Sequence, residues 1–241
     1  MEKQVGGLSF RQKQNMKRAI TLLILIFALS TVAAAQNISA ADSTVLNHLL
    51  TANQKFHSIQ NTFRHDLLKP KKNISQRRYG TLYYEQLKPA KHGDTEAKIA
   101  MRYSKPEGEY YIITSTHLYN GIDGHKLKFN YGFVPLMKLL GNSLAWAMNG
   151  DIYSICTDLN TNFQMATTAT HYVITLTVTK GHNKGITKMV LKYDKKTCLI
   201  DYMEIEEKLG IIHKYTMGLD EKGKKHPPLL NNPIDQSVYK L

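Results

Sequence analysis

In the stretch Tyr172-Val-Ile-Thr-Leu-Thr-Val178, the larger apolar side chains fall at every second residue, and two threonines stand between the last three of them. Successive side chains of a β-strand point to opposite faces, so this spacing predicts a strand with one buried face. The segments that follow, Gly181-His-Asn-Lys-Gly185 and Asp194-Lys-Lys196, have the composition of hairpin turns. The pattern therefore predicts antiparallel strands that share one apolar face.

The same two-residue period recurs along most of the chain. The other alternating segments begin at Phe63, Leu82, Ile99, Tyr110, Leu118, Leu127, Met189, Leu199 and Ile211. Glycine and proline interrupt them, as in Pro106-Glu-Gly108 and Gly121-Ile-Asp-Gly124, and these residues favour turns. About ten strands are therefore expected.

Two segments have helical spacing instead. Over residues 45–59, apolar side chains recur at intervals of three and four, and Asp42 or Ser43 can cap the first turn. Residues 133–148 are apolar on nearly all faces, so this helix must be covered on several sides or must contact an apolar molecule. Gly141 in its middle predicts a bend or a break.

Together these patterns predict an α+β fold. We expect a curved antiparallel β-sheet, an incomplete half-barrel of about ten strands, covered by an N-terminal helix and a short lid helix region. The helices are few for so large an apolar face. The interior is then either an ordinary packed core or a cavity for an apolar ligand, and the many methionines favour the cavity because thioether chains adapt to ligands of variable shape.

The N-terminal segment has the three parts of a secretory signal. A basic stretch, Met16-Lys-Arg18, precedes an apolar run over 19–29, and small side chains stand at Ala33 and Ala35. Cleavage is expected between Ala35 and Gln36, and Met16 is a second candidate for the start of the chain. The alternative is a transmembrane anchor, but the apolar run is shorter than the roughly 20 residues that span a bilayer.

We therefore expect a signal peptide over 1–35, one domain over 36–225 and an extended, proline-rich tail over 226–241. The segment has no cysteine for lipid attachment, so a soluble periplasmic protein of a Gram-negative bacterium is expected.

The composition argues against several other functions. The formal charge is +13, but the lysines are spread over turns, so no nucleic-acid partner is expected. Cys156 and Cys198 are the only cysteines, and export permits a disulfide between them. No metal, cofactor or catalytic residue is expected, because no phosphate loop, nucleophile elbow or zinc-binding helix is present.

Several short motifs occur in the order found in one family. Phe56-His-Ser-Ile-Gln-Asn-Thr-Phe63 ends the first helix, Gly80-Thr-Leu-Tyr-Tyr84 and Met101-Arg-Tyr-Ser-Lys-Pro106 form strands, and the helix over 133–140 follows. In this order the chain resembles the LolA family of periplasmic lipoprotein carriers, over about residues 42–220.

The resemblance implies a chaperone that shields the acyl chains of lipoproteins in an apolar half-barrel cavity and carries them from the inner to the outer membrane. Its implied partners are an inner-membrane ABC-type extractor and an outer-membrane acceptor, and it would act as a monomer. The side chains expected to line the cavity are Phe63, Leu82, Tyr84, Ile99, Met101, Tyr103, Tyr111, Ile113, Leu136, Met137, Leu140, Trp146, Ile174, Leu176, Met189, Leu191, Met203 and Ile205.

Other functions remain open at this point. One is an interaction module of the same fold that senses envelope stress by binding a membrane-embedded regulator. Another is a generic periplasmic binder of lipids or glycolipids, and a third is an exported hydrolase.

Overall fold

The computed structural model describes residues 38–88, 96–122, 124–130, 135–179 and 185–241, and it describes only the backbone of residues 135–141. The expected signal peptide and its cleavage site, Ala35 and Gln36, lie outside the described residues. Most of the Gly181 hairpin also lies outside them. Among the described residues, none of the helices has the length and apolar character needed to span a bilayer.

The chain begins with helix α1 (Ala40–Asn53), whose apolar side Leu46, Leu49 and Leu50 is buried. Its cap is Ser39 and not Asp42 or Ser43, because the Ser39 hydroxyl oxygen accepts a hydrogen bond from the Asp42 backbone nitrogen at 3.1 Å. The helix therefore starts before the residues that the sequence suggested. A serine in this position satisfies a backbone N–H that the first turn leaves unpaired.

Twelve described strands form one antiparallel sheet. They are β1 (Ser58–Lys69), β2 (Ile74–Gln86), β3 (Ala97–Lys105), β4 (Tyr110–Ile113), β5 (His117–Ile122), β6 (His125–Asn130), β7 (Thr161–Thr167), β8 (His171–Val178), β9 (Ile186–Asp194), β10 (Ile200–Glu207), β11 (Ile212–Met217) and β12 (Leu229–Leu230). The spatial order is β6-β5-β4-β3-β2-β1-β11-β10-β9-β8-β7, and β12 pairs with β1. The sheet is open, and the predicted α+β fold is confirmed.

The first and last long strands meet in the middle of this sheet. In β1, residues Phe63 to Leu68 pair with Met217 to Ile212 of β11, while the whole of β1 pairs with β2. Each half of the sheet is thus a meander that runs outward from this seam. The two edges, β6 and β7, are connected through the helices.

Two helices follow β6. Helix α2 (Pro135–Asn149) continues through Gly141 without the predicted break and ends at Gly150, whose φ of 71° suits glycine. Helix α3 (Ile152–Leu159) was not predicted. Asp151 caps it by accepting hydrogen bonds from the Ser154 backbone nitrogen at 3.3 Å and from the Ser154 hydroxyl at 2.6 Å.

The two faces of the sheet have different partners. The inner face, which carries Phe63, Leu82 and Met203, packs with the helices in one large apolar cluster. The outer face carries a small apolar cluster of Ala100, Tyr110 and Ile112, covered in part by Val238 and Tyr239 of the C-terminal tail.

The tail is held to this outer face by specific bonds. Arg102 donates from Nε to the Val238 carbonyl oxygen at 2.9 Å and from its guanidinium to the Lys240 carbonyl oxygen. The tail is extended at β12, but it is not extended throughout, because it also contains a short 3-10 helix, Gln236–Tyr239.

One glycine permits a close approach between strands. A Cβ atom at Gly80 would lie 2.2 Å from the Arg102 carbonyl oxygen, where the pairing of β2 with β3 shifts register. A larger residue would force the two strands apart.

Candidate functional site

The interior has a packed end and a cavity end, which lie at opposite ends of β10 and β11. The packed end contains the start of β10 and the end of β11. Its remaining void measures only about 10 Å³, and its lining includes Ile59, Leu82, Met148 and Met217.

At the packed end, both halves of the sheet hold the C-terminal end of α2. Tyr84 of β2 donates a hydrogen bond from its hydroxyl to Asn149 Oδ1, and Tyr193 of β9 donates to the Ala147 carbonyl oxygen at 2.7 Å. Both tyrosine side chains are fully buried. Burial raises the pKa of each hydroxyl, so both remain neutral donors at physiological pH.

The cavity end contains the end of β10 and the start of β11. Here a cavity of about 150 Å³ lies between the inner face of the sheet and α2. Its lining consists of Met101, Tyr111, Ile113, Leu118, Leu144, Met203, Ile205, Glu207, His213 and Tyr215. The wall is mainly apolar, and Leu144 is the contribution of α2.

Five of the residues expected from the sequence line this cavity: Met101, Tyr111, Ile113, Met203 and Ile205. Ten others are buried but lie elsewhere in the core: Phe63, Leu82, Tyr84, Ile99, Tyr103, Trp146, Ile174, Leu176, Met189 and Leu191. The side chains of Leu136, Met137 and Leu140 lie outside the described residues. Five lining residues were not predicted: Leu118, Leu144, Glu207, His213 and Tyr215.

The alternation of side chains along β10 and β11 could have identified three of the lining residues that were not predicted. His213 and Tyr215 alternate on β11, and Glu207 continues the inward series of Met203 and Ile205 on β10. A polar side chain at an inward position of a strand marks a departure from simple core packing.

A chain of hydrogen bonds runs along this wall of the cavity. Tyr103 Oη lies 2.9 Å from His65 Nδ1, and His65 Nε2 lies 3.1 Å from His213 Nδ1. His213 Nε2 lies 3.0 Å from Glu207 Oε1. Tyr215 stacks on the His65 ring with centroids 4.3 Å apart, and its hydroxyl is hydrogen-bonded to Tyr103.

The environment keeps His65 neutral. Burial, followed by the neighbouring His213 and Arg78, lowers the pKa of His65 to about 3. Arg78 is itself buried, and its guanidinium lies 2.9 Å from Glu109 Oε2. This ion pair balances the buried charge, and Arg78 lies over the Tyr103 ring at 5.9 Å.

The two cysteines do not form the disulfide that export would permit. Cys156 in α3 and Cys198 before β10 are both buried free thiols. Cys198 Sγ lies 3.3 Å from His48 Nε2 on α1, and burial raises the pKa of the Cys156 thiol to about 11.

One group of possible metal ligands occurs among the described residues. His171, Asp194 and Asp201 bring ligand atoms within 4.8 Å of one another. Hydrogen bonds already account for these atoms: His171 Nε2 lies 3.1 Å from Asp201 Oδ2, and Asp194 Oδ1 accepts from the Thr197 backbone nitrogen at 2.8 Å. We therefore interpret the group as a hydrogen-bonded polar cluster on β8, β9 and β10.

Several solved structures are similar to this one at low sequence identity. A DUF1329 family protein from Desulfovibrio piger has 10% identity and a TM-score of 0.44, over 81% of this chain and 94% of that protein. A putative outer membrane lipoprotein-sorting protein domain from Vibrio parahaemolyticus has 10% identity and a TM-score of 0.43, over 86% of this chain and 97% of that domain.

A LolA superfamily protein from Nitrosomonas europaea has 10% identity and a TM-score of 0.37, over 81% of this chain and 97% of that protein. The similarity is to LolA-like proteins. No protein-family profile matches the sequence, and no curated protein matches it.

Proposed function

We propose that this protein binds the acyl chains of lipoproteins in the cavity between the sheet and α2, and carries them across the periplasm from the inner to the outer membrane. The observation that carries the proposal is the apolar cavity of about 150 Å³ at the cavity end, compared with a void of about 10 Å³ at the packed end. An ordinary core is packed throughout at nearly uniform density, so a void of this size is a departure that needs a role.

The lining suits a flexible apolar chain. Met101 of β3 and Met203 of β10 line the cavity from the two halves of the sheet, and their unbranched thioether side chains can move to admit a chain of variable shape. Each methylene that leaves water contributes about 0.8 kcal/mol, so even a short inserted segment gives measurable affinity.

The cavity must become larger to bind a whole acyl chain. A dry apolar cavity of about 150 Å³ accommodates a molecule as small as benzene, so a whole acyl chain needs more space. Binding therefore requires that the methionines or α2 shift, with α2 still held at its C-terminal end by Tyr84 and Tyr193. Such a carrier holds its cargo while remaining able to release it.

The binding step is tested with delipidated protein and a fluorescent acyl probe, together with Ile205→Glu. Ile205 lines the cavity and is only half-buried, so a carboxylate there should be tolerated by the fold but should weaken acyl binding at least tenfold. Ile212→Glu is the matched control, because Ile212 lies on the neighbouring strand with its side chain toward the outer face. If wild-type protein binds no acyl probe, or if both variants lose binding equally, acyl binding in this cavity is refuted.

The transport step is tested in the bacterium that makes the protein. Depletion should leave lipoproteins in the inner membrane, and crosslinking should capture an ABC-type extractor and an outer-membrane acceptor. The exported protein should begin at Gln36, as judged by its intact mass. Correct lipoprotein sorting after complete depletion would contradict the transport role.

A further inference from the structure

One wall of the otherwise apolar cavity carries polar side chains that can form hydrogen bonds. Glu207 and His213 line the cavity beside Ile205 and Met203. The Glu207 side chain is 40% exposed and that of His213 is 18% exposed, so this wall lies where the cavity meets solvent.

When His213 is neutral, the Glu207 carboxylate sets the direction of the hydrogen bonds along this wall. An ionised carboxylate only accepts, so His213 donates to it from Nε2, and a neutral His213 then accepts at Nδ1. His65 must then donate from Nε2 and accept at Nδ1, where Tyr103 donates its hydroxyl proton. The Tyr103 oxygen is left to accept from Tyr215.

Along the chain from Glu207 to Tyr215, this ordering leaves an acceptor and no donor for a ligand. Both ring nitrogens of His213 are used within the chain, and so is Glu207 Oε1. Among the described residues, Glu207 Oε2 has no hydrogen-bonding or ion-pair partner. Glu207 therefore presents a negatively charged acceptor at the end of an apolar cavity.

A second acceptor lies near the same wall. Asn120 is hydrogen-bonded to Tyr111, a cavity-lining residue, while its Oδ1 atom is buried and has no partner. A buried acceptor without a partner costs free energy, and a ligand that donates a hydrogen bond can recover it.

We infer that the cavity selects amphiphiles whose polar end, next to the acyl chain, donates hydrogen bonds and is neutral or cationic, with that end placed at Glu207. This inference rests on the proposed function and names the ligand class of the same cavity. The acyl chain lies along Met101, Met203 and Ile205, and the ammonium or hydroxyl group donates to Glu207 Oε2. A fatty-acid carboxylate is disfavoured because it repels Glu207 and brings no donor.

The net charge of the whole chain and the charge of Glu207 favour opposite kinds of ligand. The formal charge is +13, so long-range attraction alone favours an anionic amphiphile. The Glu207 carboxylate at the cavity instead favours a cationic amphiphile over an anionic one. Measurement at physiological ionic strength screens the long-range contribution more strongly than a contact at Glu207.

The experiment compares lauryl probes that differ only in the polar end. The probes are laurate, 1-monolauroylglycerol, dodecylammonium and dodecyltrimethylammonium, each titrated into delipidated protein by displacement of the fluorescent acyl probe. We expect dodecylammonium to bind about tenfold or more tightly than laurate, with monolauroylglycerol between them. Dodecyltrimethylammonium has the charge but no donor, so it should bind about threefold more weakly than dodecylammonium.

Two matched variants locate the effect. Glu207→Gln keeps an acceptor for His213 but removes the charge, so the preference for dodecylammonium over laurate should fall to about twofold or less. Glu206→Gln removes the same charge from the neighbouring position of β10, whose side chain points to the outer face, and should leave the preference unchanged. Thermal unfolding of each variant verifies the fold, and the wild-type probe series remains decisive if Glu207→Gln does not fold.

The outcomes separate this inference from the proposed function. If no lauryl probe binds, the proposed function fails. If the probes bind with laurate equal to or tighter than dodecylammonium, or if Glu207→Gln leaves the preference intact, acyl binding stands and the selection at Glu207 is refuted.

Discussion

The packed end and the cavity end are built from the same strands, yet only one of them is filled. At the packed end, Tyr84 and Tyr193 reach from the two halves of the sheet to the backbone and side chain of α2. At the cavity end, the aromatic side chains Tyr103, Tyr111 and Tyr215 interact with one another and with His65. The tyrosines that hydrogen-bond to α2 hold the helix against the sheet. The tyrosines that contact one another within the sheet leave a cavity between the sheet and the helix.

For the proposed function, this difference places two requirements at the two ends of the interior. The packed end supplies the free energy of folding through buried side chains and satisfied hydrogen bonds. The cavity end gives up packing and so keeps room for a ligand. Substitutions at the two ends should therefore differ in what they change.

The largest effect is expected at the packed end. Tyr193→Ala removes a fully buried ring and should lower the free energy of unfolding by about 4 kcal/mol. Tyr193→Phe keeps the ring and leaves the Ala147 carbonyl without its donor, which should cost about 1–2 kcal/mol. Tyr111→Ala at the half-buried cavity wall should cost less than Tyr193→Ala, as measured by urea unfolding. Equal costs would contradict the division between the two ends.

The second effect concerns acid stability at the cavity end. Because the folded-state pKa of His65 is lowered to about 3, the unfolded chain binds a proton near pH 6.5 that the native state does not bind. This contribution to stability is present above about pH 6.5 and is lost as the pH falls. Between about pH 7 and pH 4.5 the free energy of unfolding should decrease by about 2.5 kcal/mol.

His65→Gln tests the assignment of this acid sensitivity. The variant should flatten the decrease between these pH values, because glutamine does not titrate there. His57 is exposed, so His57→Gln should leave the decrease unchanged. A decrease that persists in His65→Gln would show that another group titrates.

A smaller effect distinguishes two methionines of similar burial. Met217 borders the void of about 10 Å³, and Met203 borders the cavity of about 150 Å³. Met217→Ala should cost about 3 kcal/mol and Met203→Ala about 2 kcal/mol, because the side chain beside the larger void has fewer atoms to lose contact with. Acyl-probe affinity should change only in Met203→Ala. Reversed costs would contradict the difference in packing.

The smallest effect is in thiol reactivity. Burial raises the pKa of Cys156 from 9.0 to about 11, so its thiolate fraction near neutral pH should be roughly a hundredfold lower than that of an unperturbed thiol. Iodoacetamide labelling followed by mass spectrometry should modify both cysteines fully in denaturant and Cys156 very slowly in the native protein. Rapid native labelling of Cys156 would mean that the core around α3 opens readily.

The sequence predicted the sheet and its apolar face because the alternation of side chains is a local property. It missed β7, whose inward apolar residues are only Phe163 and Met165, and the two-residue strand β12. Helix α3 was also missed, although Asp151 as a cap and Ile152, Ile155, Cys156 and Leu159 at helical spacing are its local signs.

The candidate site was harder to predict because it depends on distant pairing. Alternation places Met101, Met203 and His65 on the inner face, but it does not say that β1 pairs with β11 and brings His65 to His213. Nor does it say which part of the face is left unfilled, since this depends on which side chains reach the helices. Tyr84 and Tyr111 look alike in sequence, yet the first anchors α2 and the second lines a cavity.

The bonds from Arg102 to the tail have a practical consequence for studying this protein. They fix the last residues to the outer face of β3, and Leu241 at the terminus is 69% exposed. A biotin, a bead or a fused reporter attached after Leu241 would therefore emerge on the side of the sheet that faces away from the cavity. Immobilisation through the C-terminus should leave the ligand entrance accessible, so that surface-based binding measurements can be made on the intact chain.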